Sequence, residues 1–117
     1  MARRRVIFYT GGRPPKKSKS AVARKAWRKV THVLVSPSVT VIDKGVFRKC
    51  RLLSDVELSD GLQRISAHAF KNCSSLVRIM TPSTVVEIGV QAFMDCSLLV
   101  EVELCVGLKQ ILQRAFK

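Results

Sequence analysis

Four cysteines and two histidines are the side chains of this chain best suited to nucleophilic, redox or metal chemistry. Cys50, Cys73, Cys96 and Cys105 follow one another at steps of 23, 23 and 9 residues. That spacing supplies no close ligand pair of the kind that holds zinc, and neither His32 nor His68 offers parallel support. Cys50, Cys73 and Cys96 are expected to be small buried fillers, Cys105 an exposed free thiol, and both histidines solvated. The run GGRPPKKS has the outline of a phosphate-binding loop. In it, however, Lys16 stands where a second Gly is required, and two prolines delete amide donors that would cradle phosphate. No Ser, His and acid grouping and no pair of inward carboxylates is present, so neither catalytic residues, a metal nor a cofactor is expected. Asn72, Cys73 and Ser74 match a glycosylation sequon, yet no secretory signal is visible and the match is expected to go unused. No apolar run is long enough to span a membrane.

The elements that must position these side chains repeat with the cysteines. Phe47, Phe70, Phe93 and Phe116 keep the same 23-residue step. Ile42, Ile65, Ile88 and Ile111 precede them by five residues, and Val46, Ala69, Ala92 and Ala115 by one. Leu53, Leu76 and Leu99 follow by six, and Val39, Leu62, Val85 and Leu108 stand three before each Ile. Self-similarity at this period marks units that cannot bury their apolar faces alone and must stack on their neighbours. Within a unit, Val56 and Leu58 alternate with Glu57 and Ser59, the period of a short strand with one buried face. Val46, Phe47 and Cys50 fall at i, i+1 and i+4, on one side of a helical turn. Asp43 and Ser66 stand where such a turn would be capped, and Gly89 is acceptable there. The pairs Val39 to Ile42 and Leu62 to Ile65 suit an extended segment between strand and turn.

The runs LSDVELSDGLQRISAHAFKNCSSL and LVRIMTPSTVVEIGVQAFMDCSLL resemble the BspA-like leucine-rich repeat, L-x-x-V-x-L-P-x-S-V-x-x-I-G-x-x-A-F-x-x-C-x-x-L. The resemblance covers about residues 30 to 117, with departures at Val46, Thr81 and Leu112. It implies an α/β leucine-rich repeat solenoid of about four 23-residue units with a parallel concave sheet and short helical turns. VIFYTGG followed by VTHVLVSPSV resembles the start of such arrays, which implies a first strand at Val6 to Tyr9. Family members include cell-surface adhesins and many intracellular proteins. The resemblance therefore implies a non-catalytic protein-interaction scaffold and leaves its ligand open. The lack of a secretory signal points to an intracellular, cytoplasmic or nuclear, location. The array breaks off after its fourth Phe, as though truncated.

Charge divides the chain differently. Residues 1–30 hold eleven of the 21 basic side chains and no acid, while residues 31–117 carry ten basic and eight acidic ones. This predicts a basic arm, 1–30, on a nearly neutral solenoid, 31–117. Gly11, Gly12, Pro14, Pro15 and the KKSKS run predict disorder at the arm's centre. Ala23, Ala26, Trp27 and Val30 form an apolar stripe that predicts an amphipathic helix over 21–30. Three roles fit the arm. Its helix packs Trp27 over the open end of the solenoid; it binds nucleic acid or directs nuclear import; or it targets an organelle, with an anionic membrane surface as a further possibility. In the second, phosphate is held by Arg3, Arg4, Arg5, Arg13, Lys16, Lys17, Lys19, Arg24, Lys25, Arg28 and Lys29.

Strand alternation also predicts which residues leave the concave sheet. With Val56, Leu58, Ile79, Val102 and Leu104 inward, His32, Leu34, Asp55, Glu57, Arg78, Met80, Glu101 and Glu103 face out. That face is mixed to acidic and fits a protein or peptide partner with some basic character. Phosphate would be repelled there and drawn to the arm or to the convex side with Lys44, Arg48, Lys49 and Arg51.

Overall fold

Apolar columns at a fixed step are buried only when successive units lie on one another, and the chain achieves this by coiling. The computed structural model describes residues 4–12, 27–103, 110–111 and 116. Its strands are β1 (Val6–Tyr9), β2 (His32–Val35), β3 (Val41–Ile42), β4 (Asp55–Glu57), β5 (Arg64–Ile65), β6 (Arg78–Met80), β7 (Glu87–Ile88), β8 (Glu101–Glu103) and β9 (Gln110–Ile111). Every pairing is parallel and joins one coil to the next. β1, β2 and β4 form one ladder and β6 and β8 another, with β6 packed beside β4. On a second side β3, β5, β7 and β9 form a continuous ladder, so the segments read as merely extended between strand and turn are strands in their own right. The register His32 to Asp55, Arg64 to Glu87 and Arg78 to Glu101 keeps the 23-residue step. β1 stands where the sequence predicts it, but Val6 pairs with His32 at a step of 26. The first coil is therefore three residues longer than the rest.

The expected short helical turns do not form. Residues 45, 68 and 91, and again 49, 72 and 95, have φ between 55° and 67°. A left-handed residue at each place breaks an α-helix. The local pattern is instead alternating. Val46, Arg48 and Cys50 donate their N–H to the carbonyl three residues back, whereas Gly45, Phe47 and Lys49 donate to Ala67, Ala69 and Lys71 of the next coil at 3.2, 2.8 and 2.8 Å. His68, Phe70 and Asn72 repeat this toward Val90, Ala92 and Met94. Amide hydrogens that a cap at Asp43 or Ser66 would satisfy are thus taken by the neighbouring coil. Of the helix predicted over 21–30, only 27–30 lie within the described residues, where Val30 N–H reaches Trp27 C=O at 3.3 Å.

The core is a stack of rings. Phe47, Phe70 and Phe93 are fully buried, and the rings of Phe47, Phe70, Phe93 and Phe116 lie 5.4, 5.2 and 5.1 Å apart, within 16° of parallel. Trp27, outside the 23-residue register, adds a further ring at 5.5 Å and 4° to Phe47. Its Nε1–H donates to Val46 C=O at 2.7 Å, and Tyr9 meets Phe47 edge-on at 5.3 Å. Gly89 is required by contact: a Cβ there would lie 2.5 Å from Ala67 N and 2.7 Å from Ser66 C. Two outcomes follow for thermal melts followed by circular dichroism. Phe70→Ala removes a ring with neighbours on both sides and should cost about 3 to 5 kcal/mol. Gly89→Ala forces two backbones apart and should cost roughly 1 to 3 kcal/mol. An unchanged melting temperature in either variant would contradict this packing.

Candidate partner-binding face

Alternation along β2, β4 and β6 sorts the side chains on this side of the coil. Val33, Val35 and Ile79 are buried and Val56 is half-buried, while Asp55, Glu57, Arg78, Met80, Glu101 and Glu103 are exposed and His32 and Leu34 intermediate. All eight residues predicted to leave the sheet do so. Val102, expected inward, is instead 39 % exposed, so the alternation does not hold in β8, and Leu104 lies outside the described residues.

The outward residues form two columns. Val6, His32, Asp55, Arg78 and Glu101 make the first, by the strand register. Its polar groups pair off: His32 Nε2 lies 3.1 Å from Asp55 Oδ2, and Arg78 lies 3.9 Å from Glu101. Thr31 Oγ1 shares a 2.7 Å hydrogen bond with His32 Nδ1, and Ser54 Oγ donates to Asp55 at 3.1 Å. The second column runs Phe8, Leu34, Glu57, Met80 and Glu103. Phe8 is 72 % and Met80 51 % exposed. Among the described residues neither Glu57 nor Glu103 has an ion-pair partner. Two strand spacings, roughly 10 Å, separate them.

These columns line a groove of about 600 Å³ whose walls include His32, Leu34, Asp55, Glu57, Arg78 and Met80. Glu101 and Glu103 continue the register beyond those walls. Arg4 also lines the groove, so one cation of residues 1–30 stands on the strand face. Arg5 is tied to Thr31, with Arg5 N–H donating to Thr31 Oγ1 at 2.8 Å, and Arg28 and Lys29 are exposed. Arg3, Arg13, Lys16, Lys17, Lys19, Arg24 and Lys25 lie outside the described residues. Val6 and Phe8 were not predicted on this face. The alternation of VIFY carries the signal, once β1 is known to pair with β2.

The thiols are placed for packing. Cys50, Cys73 and Cys96 are free, the first two buried. Cys73 and Cys96 point their S–H at the Phe47 and Phe70 carbonyls of the preceding coil at 3.2 and 3.1 Å, and Cys50 points at Trp27 C=O at 3.6 Å. Burial pushes the Cys50 thiol up to about 12 and Cys96 to about 11, and raises Cys73 as well. Cys105 lies outside the described residues. Among the described residues no group of three or more His, Cys, Asp or Glu is placed to hold a metal ion, and no helix is long and apolar enough to cross a membrane.

A sequence profile of the BspA type leucine-rich repeat region matches residues 25–117, in six copies. The chain belongs to this family. No curated protein matches it. Among solved structures, a leucine-rich repeat protein of T. pallidum is 31 % identical, with a TM-score of 0.74 over 97 % of this chain and 47 % of its own. A leucine-rich repeat protein from Bacteroides ovatus is 22 % identical, with a TM-score of 0.63 over 92 % of this chain and 39 % of its own. The chain thus spans about half the length of the T. pallidum protein. BspA type solenoids repeat one coil, so the thiol column here is a property of the repeat, and its chemistry is suppressed in every coil described. In the folded protein at pH 8, Cys50, Cys73 and Cys96 should resist alkylation until denaturant is added, as read by peptide mass mapping. Because their pKa values are raised on folding, the stabilising effect of the neutral thiols is present below pH 9 and lost as the pH climbs toward 11 to 12. The melting temperature should fall across that window.

Proposed function

We propose that this chain is a non-catalytic protein-interaction scaffold whose strand face takes a peptide or protein segment that is both basic and apolar. Family membership supports a protein-binding role. The observation that carries the finer reading is the second column, where the unpaired carboxylates Glu57 and Glu103 alternate with Leu34, Met80 and Phe8. Unpaired acids favour Lys or Arg in a partner, and the exposed Phe and Met supply apolar area between them. In the first column the carboxylates are already engaged, Asp55 by His32 and Ser54 and Glu101 by Arg78.

Peptide arrays probed with the intact chain test this reading. Bound peptides should be enriched in Lys or Arg flanking an apolar residue. The Glu57→Lys/Glu103→Lys variant, with an unchanged circular dichroism melt, should bind them at least about tenfold more weakly, since like charges across an interface cost several kcal/mol. Equal binding by the variant would remove the strand face as the site.

A further inference from the structure

The turn edge of the first coils carries a charge pattern unlike that of either ladder. Because Trp27, Phe47 and Phe70 stack in order, the residues that follow them, Arg28, Arg48 and Lys71, occupy equivalent places in three successive coils. Ring spacings of 5.5 and 5.4 Å set the step between these places. Lys29, Lys44, Lys49 and Arg51 flank this cation ladder, and within 27–30, 43–51 and 66–74 the only carboxylate is Asp43. Among the described residues none of the seven cations has an ion-pair partner. Like charges on adjacent positions repel, so a column of three stands at a cost unless an anion lies on it. His68, on the same edge, registers that field. Burial, and then Lys71, Arg48 and Lys44, hold its pKa down, and its Nδ1 is buried without a partner.

The occupant must be anionic, extended and able to do without apolar contacts. Within 43–51 and 66–74 no large apolar side chain is exposed, and Leu52 and Val90 border the edge singly. Two isolated apolar side chains are a poor anchor for a protein interface with an apolar core or for an inserting membrane contact. Duplex nucleic acid needs none: each strand offers a phosphate per ~3.4 Å, so every layer of the ladder finds one within reach. We propose that this turn edge binds the phosphate backbone of nucleic acid, without sequence preference, on a surface separate from the peptide-binding strand face.

Fluorescence anisotropy of the full chain with a mixed-sequence DNA duplex of about 20 base pairs, between about 50 and about 200 mM salt, tests the proposal. Arg48→Gln/Lys71→Gln should flatten the dependence of log K on log salt by about 1.8, roughly 0.9 for each phosphate no longer neutralised. Its melting temperature should hold or rise, because a like-charge pair is relieved. Lys44→Gln/Lys49→Gln provides a second pair of the same charge change, and Lys16→Gln/Lys17→Gln does so within the basic arm. A slope that falls only in the arm variant overturns the proposal. So does an absence of duplex binding at about 50 mM salt, or retention on phosphatidylserine vesicles without duplex binding. Peptide-array binding should be intact in Arg48→Gln/Lys71→Gln, so this surface and the strand face stand or fall independently.

Discussion

Each coil of this solenoid leaves part of its polar backbone unsatisfied within itself, and only the neighbouring coil can complete that part. Amide hydrogens of the paired strands, and those of Gly45, Phe47 and Lys49 in the turn, donate to carbonyls of the adjacent coil, while Val46 and Arg48 bond within their own. A buried backbone donor left without a partner costs about as much as a lost hydrogen bond, so the requirement is close to absolute. It holds the regular coils to one length. One coil can be followed only by another that presents acceptors at the same places, and the apolar columns inherit that register. The stacked rings then fill a space the backbone has already defined.

The longer first coil shows how firmly the requirement acts. β1 joins β2 at a step of 26, and Trp27 stands nearer to Phe47 in the chain than the repeat would place it, yet both enter the ladders the regular coils use. Trp27 takes the place of a phenylalanine by stacking, and its indole N–H finds Val46 C=O. Thr31 does similar work for β1. Its hydroxyl accepts from Arg5 N–H, while its own N–H donates to Arg5 C=O. Half-buried edges are closed by side chains where the repeat supplies no backbone.

Much of this was legible in the residues. The columns of Phe, Ile, Cys and Leu implied stacking, and alternation in HVLV, DVE and RIM placed the outward residues of β2, β4 and β6, whereas in EVE all three residues are exposed. The turn was misread because apolar residues at i, i+1 and i+4 suit a helix as well as they suit the observed path. What decides between them is φ at two positions per coil. Gly45, His68, Asn72 and Asp95 tolerate the left-handed region and hint at it, but Lys49 and Gln91 occupy the same places without any such preference. Val6 and Phe8 were missed for another reason. Their face depends on a pairing that departs from the repeat step, which a comparison of the chain with itself at that step does not detect.

Columns of equivalent residues also explain why charge distribution carries meaning in this fold. Any surface position recurs every coil, so a repeated charge must face its own kind about 5 Å away. On both sides of the coil the chain avoids this: Arg78 faces Glu101 on one and Arg64 faces Glu87 on the other, and Asp55 faces His32 and not a second acid. Such exposed pairs contribute only about 0.2 to 1 kcal/mol each, and they stand where like charges would repel. At the turn edge the same device was available, because each coil has side chains in reach of the next. There Arg28, Arg48 and Lys71 follow one another with no acid between them. One edge has thus kept a repulsion that the two ladders relieve, and stability alone gives no reason to keep it.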